Sequence, residues 1–463
     1  MQAGVIHSKL PILADVDILV VGAGSAGCCA AIAARAANPV KSVLLVDRYG
    51  FAGGTSTAVL DTFYGFFTPA APPLKIGGGI PDRVVGELER AGAMRLRPNT
   101  YGAGTGVTYN PEYLKLLWDE LLVRVGVTLL LHTFVVDVQT HPDGRIASVI
   151  TAGKSGLGRI LAHRYIDTSG DADVCHYAGI PYERAGETDP AQSLTTTFRM
   201  CNVNLQRFSA SGGNKMLQQR MSEAVEQGRY ALPRRQGSAH AMVIDNCIAT
   251  ITTRVSDVDA TDPRHLTKAE MDGRRQAFTY ERFFREYVPG YENARIIALG
   301  VQIGVRETRR VYGEYRLSRK DCLSAVHFED TVLLCGAPIE DHHSTESGTS
   351  SSSETTWVYL PEGQVYGVPY RTLVPKGRDD ILIAGRCFSA THDAHASCRS
   401  MAQTMAMGQA AGIAAALSLQ DDVSVREISI PELQTRLRQL GAVLETPLRA
   451  ADVSPDGWKN NFA

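Results

Sequence analysis

The chain has 463 residues, 21% charged and 44% hydrophobic, with a formal net charge of −2 and nine cysteines. That length exceeds what one hydrophobic core usually supports, so two interleaved domains are expected. The charge balance offers no basic excess for nucleic acid or anionic lipid, and no apolar run reaches the length of a membrane span. The cysteines are scattered without a C-x-x-C pair, which argues against a disulfide framework, a zinc site or an iron–sulfur cluster, and no metal site is expected.

Residues 1–16 read as a short polar arm without signal-peptide features, and a cytoplasmic location is expected. Asp17-Ile-Leu-Val-Val-Gly22-Ala-Gly24-Ser-Ala-Gly27 then runs into the alanine-rich stretch Cys28 to Arg35. Strand, G-x-G-x-x-G turn and helix in that order describe a dinucleotide site, with Gly22 for the turn, Gly24 for approach to a pyrophosphate and Gly27 for helix–strand packing. Cys28 and Cys29 start this helix, where a thiolate would be favoured electrostatically, although burial against the sheet is the commoner reason for cysteine there. Ser42 to Asp47 is a second buried strand ending in an acid suited to ribose hydroxyls. These features alone leave NAD and FAD open.

Gly53-Gly54 forms a second glycine-rich turn, and Asn110-Pro-Glu opens a helix to about Val125. From Val127 to Ala162 the period changes to that of strands, with a turn at His141-Pro-Asp-Gly144. Arg164 to Asp171 has the form of a strand returning to the nucleotide sheet. Residues from about 180 to 370 are less decisive: Thr195 to Met200 reads as a strand, Leu205 to Gly228 as helices, and Met242 to Arg254 as strands. Arg306 and Arg309 share a face if their segment is helical, and either can clamp a carboxylate; salt bridges to Glu307 or Glu314 are the competing reading. Asp341 to Thr356 reads as an exposed, serine-rich loop, with a mobile lid as the alternative and His342-His343 as a solvated pair. Ile381 to Ala384 is a short buried strand before Gly385-Arg386, and a small-residue helix starts at about Arg399.

This order of parts resembles the glutathione-reductase-like FAD-binding superfamily, and within it the FAD-dependent oxidoreductases, similar in layout to the flavoprotein subunits of fumarate reductase. The resemblance rests on the opening fingerprint, Asp47, Gly53-Gly54, Ile166-Asp-Thr-Ser-Gly-Asp171, and the block from Tyr366 through Gly385-Arg386 to Gly412. It implies an α/β fold: a Rossmann-like FAD-binding domain of parallel sheet plus β-meander, with an inserted α+β substrate domain. The expected division is 1–180 and 370–425 for the two parts of the FAD domain, 181–369 for the substrate domain, and 426–463 for a C-terminal helix and tail. The C-terminal strand and helix have no role in an NAD-only design, which disfavours that cofactor.

Together these readings assign FAD to Gly22, Gly24, Ser25, Ala26, Gly27, Asp47, Arg48, Gly53, Gly54, Thr55, Val135, Ser169, Gly170, Asp171, Gly385, Arg386, Met401 and Ala402. Many relatives in the wider superfamily carry Gly-Asp where this chain has Gly385-Arg386, so Arg386 is expected to face a phosphate or the substrate. For catalysis, Thr391-His392-Asp-Ala-His395 with Arg399 is the most suggestive cluster. His392 is the expected general base, His395 its substitute, and Arg399, with Arg306 and Arg309, an anion anchor. The competing reading of His392 is a turn histidine that bonds only a backbone carbonyl. Tyr366, Tyr370 and Arg371 are further candidates for lining the cavity. The implied activity is hydride transfer between a small organic substrate and flavin N5, with an electron acceptor still to be identified. A redox-neutral flavoenzyme (hydratase or isomerase) and an electron-transfer subunit are the alternatives, and a homo-oligomer is compatible with either.

Overall fold

In the computed structural model, residues 9–97, 103–344, 353–445 and 448–449 are described. The principal sheet is built around β1 (Ile12–Val21), whose last four residues are buried because the sheet is covered on both faces. The chain continues through α1 (Ser25–Ala37), β2 (Val43–Val46), α2 (Pro111–Arg124), β3 (Thr128–Leu130), β4 (Phe134–Thr140), β5 (Ile146–Gly153) and β6 (Gly156–Asp167). The Asn110 side chain caps α2 by accepting from the Glu112 and Tyr113 amides, and proline occupies the first turn, where its missing N–H costs nothing.

The sheet order is β3-β2-β1-β6-β5-β4, and the late strand Ile381–Ile383 joins it beside β6. Strand β6 serves two structures. Its first half pairs antiparallel with β5 in the meander, while its second half runs parallel to Ile381–Ile383. The parallel strands β3, β2, β1, β6 and Ile381–Ile383 form the Rossmann-like layer, and the fold is mixed α/β.

Between the two contributions to that layer lies a four-stranded antiparallel sheet formed by β7 (Phe198–Cys201), β8 (Ser238–Ala241), β9 (Ile248–Ile251) and β10 (Arg295–Leu299). The 25-residue helix α3 (Pro263–Tyr287) backs it, with Tyr280, Phe283 and Phe284 buried in an aromatic core of its own. The described residues of the segment read as an exposed loop at 341–356 are instead paired strands, β11 (Ile339–Ser344) with β12 (Ser353–Val358); residues 345–352, the rest of that loop or lid reading, fall outside the described residues. Pairing of Asp341 with Thr356 and His342 with Thr355 overrides the polar composition that made this stretch look like loop.

The chain returns through β13 (Ile381–Ile383), α4 (His392–Cys398) and α5 (Met401–Gln420). Helix α5 lies against α1 at backbone distance: a Cβ added to Gly408 would come within 2.0 Å of the Ala26 carbonyl oxygen, and one on Gly412 within 2.1 Å of that of Ala30. The alanine and glycine richness of both helices is thus a packing requirement. No helix among the described residues is long and apolar enough to cross a membrane.

Candidate functional site

A single cleft runs from the β1–α1 turn to the inserted sheet and hairpin, with about 2080 Å³ of space between its walls, open mouth included. At one end the three fingerprint glycines divide the work. Gly22 has φ of +98°, and a Cβ there would come within 2.5 Å of the Thr168 carbonyl oxygen. Gly27 lies even tighter, with a Cβ position 1.8 Å from the Gly22 carbonyl oxygen, so it serves packing and does not line the cleft. Gly24 is different. Its φ is −69°, a Cβ would meet no protein atom within 4 Å, and it lines the cleft. With neither strain nor crowding to require glycine, the open space leaves the backbone there free for a ligand to approach.

Ser25 and Ala26 line the cleft beside it at the start of α1, whose first turn holds no acid, so its unpaired amides suit a phosphate. Asp47 accepts from the amides of Ala23 (2.7 Å) and Tyr49 (2.8 Å), one on each oxygen. Each carboxylate oxygen retains a second lone pair for a ribose hydroxyl. Burial pushes the Asp47 pKa up, the amides and Arg48 acting against it. Gly54 and Thr55 line the cleft, as do Arg48 and Val135; Gly53 does not, its amide being committed to the Ala23 carbonyl at 2.7 Å.

Beside this end, Ser169, Gly170, Asp171, Gly385 and Arg386 reach the cleft at the tips of β6 and β13. Arg386 is not free for a phosphate. Its guanidinium pairs with Asp171 at 2.6 Å and donates to the carbonyls of Gly170 (3.0 Å) and Val305, tying the tip of β6 to the segment before Arg306. Ser400, Met401 and Thr404 present the start of α5, whereas Ala402 is buried in the helical packing and does not line the cleft.

The other end is built from side chains. Arg234, Arg306 and Arg399 line it together with Thr195, Thr197, Ser238, Glu340, His342 and Trp357. Arg306 donates to the Ser193 carbonyl and to Thr195 Oγ1 (3.0 Å), and burial beside Arg399 pushes its pKa down to about 9. Arg399 donates to Gln192 Oε1 at 2.8 Å and the Glu340 carbonyl at 3.2 Å. Behind them Arg254 reaches Thr195 Oγ1 (3.2 Å) and His342 Nδ1 (2.7 Å). His342 is buried rather than solvated, and burial with Arg254, Arg306, Arg234 and Arg399 around it holds its pKa well below the ordinary value. It is therefore neutral. Nδ1 accepts from Arg254, and Nε2 donates to Glu340 at 3.0 Å.

Two of the expected catalytic groups are elsewhere. His392 does not line the cleft; its Nδ1 lies 3.2 Å from Glu307 and its Nε2 3.1 Å from Asp341. Burial lowers its pKa, but the two carboxylates prevail and push it up to about 10. A ring charged at neutral pH with both N–H groups committed is a structural cation, not a base. His395 shows the behaviour that was the competing reading for His392: its Nε2 donates to the Arg386 carbonyl at 2.8 Å, and burial pushes its pKa down to about 3.

Arg309 does not share a helical face with Arg306, because residues 309–311 form a strand. Its side chain is held by the Asp171 carbonyl (2.7 Å) and Asp173 (3.0 Å) and does not itself line the cleft. Tyr366 and Tyr370 are buried in the main core, and Arg371 pairs with Asp330 at 2.9 Å, so none of the three lines the cleft. Burial drives the Cys28 thiol far above its ordinary pKa, making it a packing residue. Arg234, Arg254, Glu340 and Trp357 escaped the sequence reading because each lies in a stretch with no chemical motif; only Thr252-Thr-Arg254, a basic residue closing a strand, carried any signal. No group of three or more metal-ligating side chains occurs among the described residues.

Solved structures similar to this chain include p-nitrophenol 4-monooxygenase PnpA from Pseudomonas putida DLL-E4, at 11% identity and TM-score 0.47, covering 92% of this chain and 90% of that one. Another is a geranylgeranyl bacteriochlorophyll reductase-like protein from Thermoplasma acidophilum, at 11% identity and TM-score 0.45, covering 96% and 95%. No curated protein matches the sequence. Residues 17–437 match the family described as FAD dependent oxidoreductase, a span that includes both ends of the cleft. The chain belongs to the FAD-dependent oxidoreductase family, and FAD is its cofactor.

Proposed function

We propose that this protein is a dehydrogenase or oxidase in which FAD lies along the glycine-lined part of the cleft and a small organic substrate binds at its arginine-lined end. The observation that carries this reading is the continuity of the cleft: Gly24 and Asp47 share it with Arg306 and Arg399. Bound FAD supplies hydride exchange at flavin N5. The chain's own groups bind and orient. The α1 amides at Ser25 and Ala26 receive the pyrophosphate, Asp47 receives the ribose, and the start of α5 at Ser400 and Met401 favours negative charge near the flavin ring. Arg306 and Arg399 hold an anionic group of the substrate and fix its orientation.

In this reading the described residues of 1–180 and 370–425 hold the cofactor, those of 181–369 supply the substrate wall, and Ile430–Gln439 is a closing helix. The strand order β3-β2-β1-β6-β13, with the meander attached, supports the glutathione-reductase-like layout. Proton transfer falls to groups on the cleft or to water within it, since His392 and His395 are both committed elsewhere.

An anaerobic screen of the purified yellow protein against small organic acids, alcohols and amines, following loss of oxidised-flavin absorbance, tests this. Bleaching by one compound class, reversed by an electron acceptor, is the expected result. Full turnover of a substrate without net flavin reduction or external acceptor would replace it with a redox-neutral reaction.

A further inference from the structure

Among the described residues, most proton-accepting side chains on the cleft are bonded elsewhere. Asp47 accepts from two amides at the cofactor end, Asp171 pairs with Arg386 at 2.6 Å, and Asp173 pairs with Arg309 at 3.0 Å. Tyr49 is bonded to Gln302, and Tyr64 accepts from Arg97. His342 receives the Arg254 guanidinium on Nδ1, and a guanidinium can only donate, so the neutral ring carries its one proton on Nε2. Glu340 remains. Its Oε1 accepts that N–H at 3.0 Å, while its Oε2 has no hydrogen-bond partner among the described residues, and the side chain is 31% exposed on the cleft lining.

The carboxylate is held in a fixed place. His342 is buried, with Arg254 at 2.7 Å and Thr355 Oγ1 at 2.9 Å on Nδ1, so it presents Nε2–H to Glu340 in one orientation. Burial among arginines keeps the ring neutral, and a neutral donor aims the carboxylate without competing for its proton. The backbone of the same residue is tied to an anion anchor: the Glu340 carbonyl accepts from Arg399 at 3.2 Å. Ser400 and Met401, at the start of α5, follow Arg399 on the cleft lining. A substrate whose anionic group sits on Arg399 therefore brings its neighbouring atoms beside Glu340.

We propose that Glu340 is the catalytic base, its Oε2 taking the proton of a hydroxyl or amino group close to the substrate's anionic group, as in a hydroxy acid or an amino acid. The proposal rests on the reading of this end of the cleft as the substrate site. Two bonds of the substrate break. The O–H or N–H bond leaves its proton on Glu340 and its electron pair on oxygen or nitrogen, where the pair forms the C=O or C=N bond. The hydrogen of the adjacent C–H bond leaves with two electrons to FAD, so the substrate is oxidised by two electrons and FAD is reduced by two. Glu340 then returns its proton to water. The competing role for Glu340 is that of a carboxylate kept near Arg306 and Arg399 only to balance their charge. A counterion sets affinity for the anion, whereas a base sets the rate.

Two measurements on the FAD-loaded protein distinguish these roles. Calorimetry compares 2-hydroxy-2-methylpropanoate and 2-amino-2-methylpropanoate, which have no hydrogen on the reacting carbon and cannot be oxidised there, with 2-methylpropanoate. The hydroxy or the amino compound is expected to bind the parent about tenfold more tightly than the plain acid, and Glu340→Ala should abolish that preference. Anaerobic stopped-flow reduction by the hydroxy and amino acids that bleach the parent, lactate, malate, alanine and aspartate first, gives a limiting rate and a Kd. Glu340→Gln should lower the limiting rate by about a hundredfold or more at unchanged FAD content, with Kd within about threefold of the parent. Glu340→Asp should keep part of the rate, and added formate should restore part of it to Glu340→Ala, which a merely structural loss would not show. An unchanged limiting rate in Glu340→Gln, a change confined to Kd, or equal binding of the three probes by the parent overturns the proposal and leaves hydride transfer to FAD standing. Bleaching by no compound of any class overturns both.

Discussion

The two ends of the cleft are built on different physics. The cofactor end is made of backbone: two glycines pressed against neighbouring carbonyls, a third facing open space, and the start of a helix. The arginine end is made of side chains on an inserted sheet, a hairpin and the turn before α5, and its property is charge. A backbone site depends on contacts a few residues apart and is written as a motif. A charge site needs only that guanidiniums arrive at one place, and any topology that delivers them will serve.

The sharpest way to break the comparison is at the glycines. Gly27→Val should give no folded, yellow protein, since its Cβ alone would stand 1.8 Å from the Gly22 carbonyl oxygen. Expression yield and flavin content measure this. Gly24→Val should leave the apoprotein folded, because no protein atom lies within 4 Å of the added Cβ, while FAD retention falls by about tenfold or more. Equal damage to apoprotein and holoprotein would show that Gly24 is a packing residue too.

At the other end, the double variant Arg306→Gln, Arg399→Gln should retain FAD and weaken substrate binding by about a hundredfold, a loss of roughly 3 kcal/mol. It is read as KM in steady-state turnover once a substrate is in hand. Loss of FAD from this variant would mean that the two ends are not separable.

The smallest effect on chemistry is expected at His392, and it separates a structural cation from a catalytic group. His392→Gln should leave the rate of flavin reduction within about threefold of the parent, whereas loss of a general base would cost a hundredfold or more. Its cost should appear in stability. The folded-state pKa of about 10 lies above the unfolded value near 6.5, so the contribution is fully present below about pH 6.5 and is lost as pH rises through 10. Melting temperatures of parent and variant should therefore differ most at and below neutral pH and converge toward pH 10.

How much of this was legible follows from the same division. The fingerprint, Asp47, the meander and the return of β6 were readable because strand, turn and helix periodicities are local. The pairing of 339–344 with 353–358 was not, since the polar composition of these strands reads as loop and only cross-strand partners make them sheet. His392 was misjudged because its two partners, Glu307 and Asp341, are 85 and 51 residues away and no local pattern brings them together. Arg306 and Arg309 looked alike in sequence; a strand beginning at Arg309 sends one to the cleft and the other to Asp173.

The order of residues by itself determined that this is an FAD-binding α/β protein and where its glycine turn meets the first helix, because glycine's freedom and a helix's first amides act over one turn of chain. Only the tertiary structure decided which cations line the cleft and which are spent on carboxylates. Charge pairing acts through space, and its partners are chosen by packing.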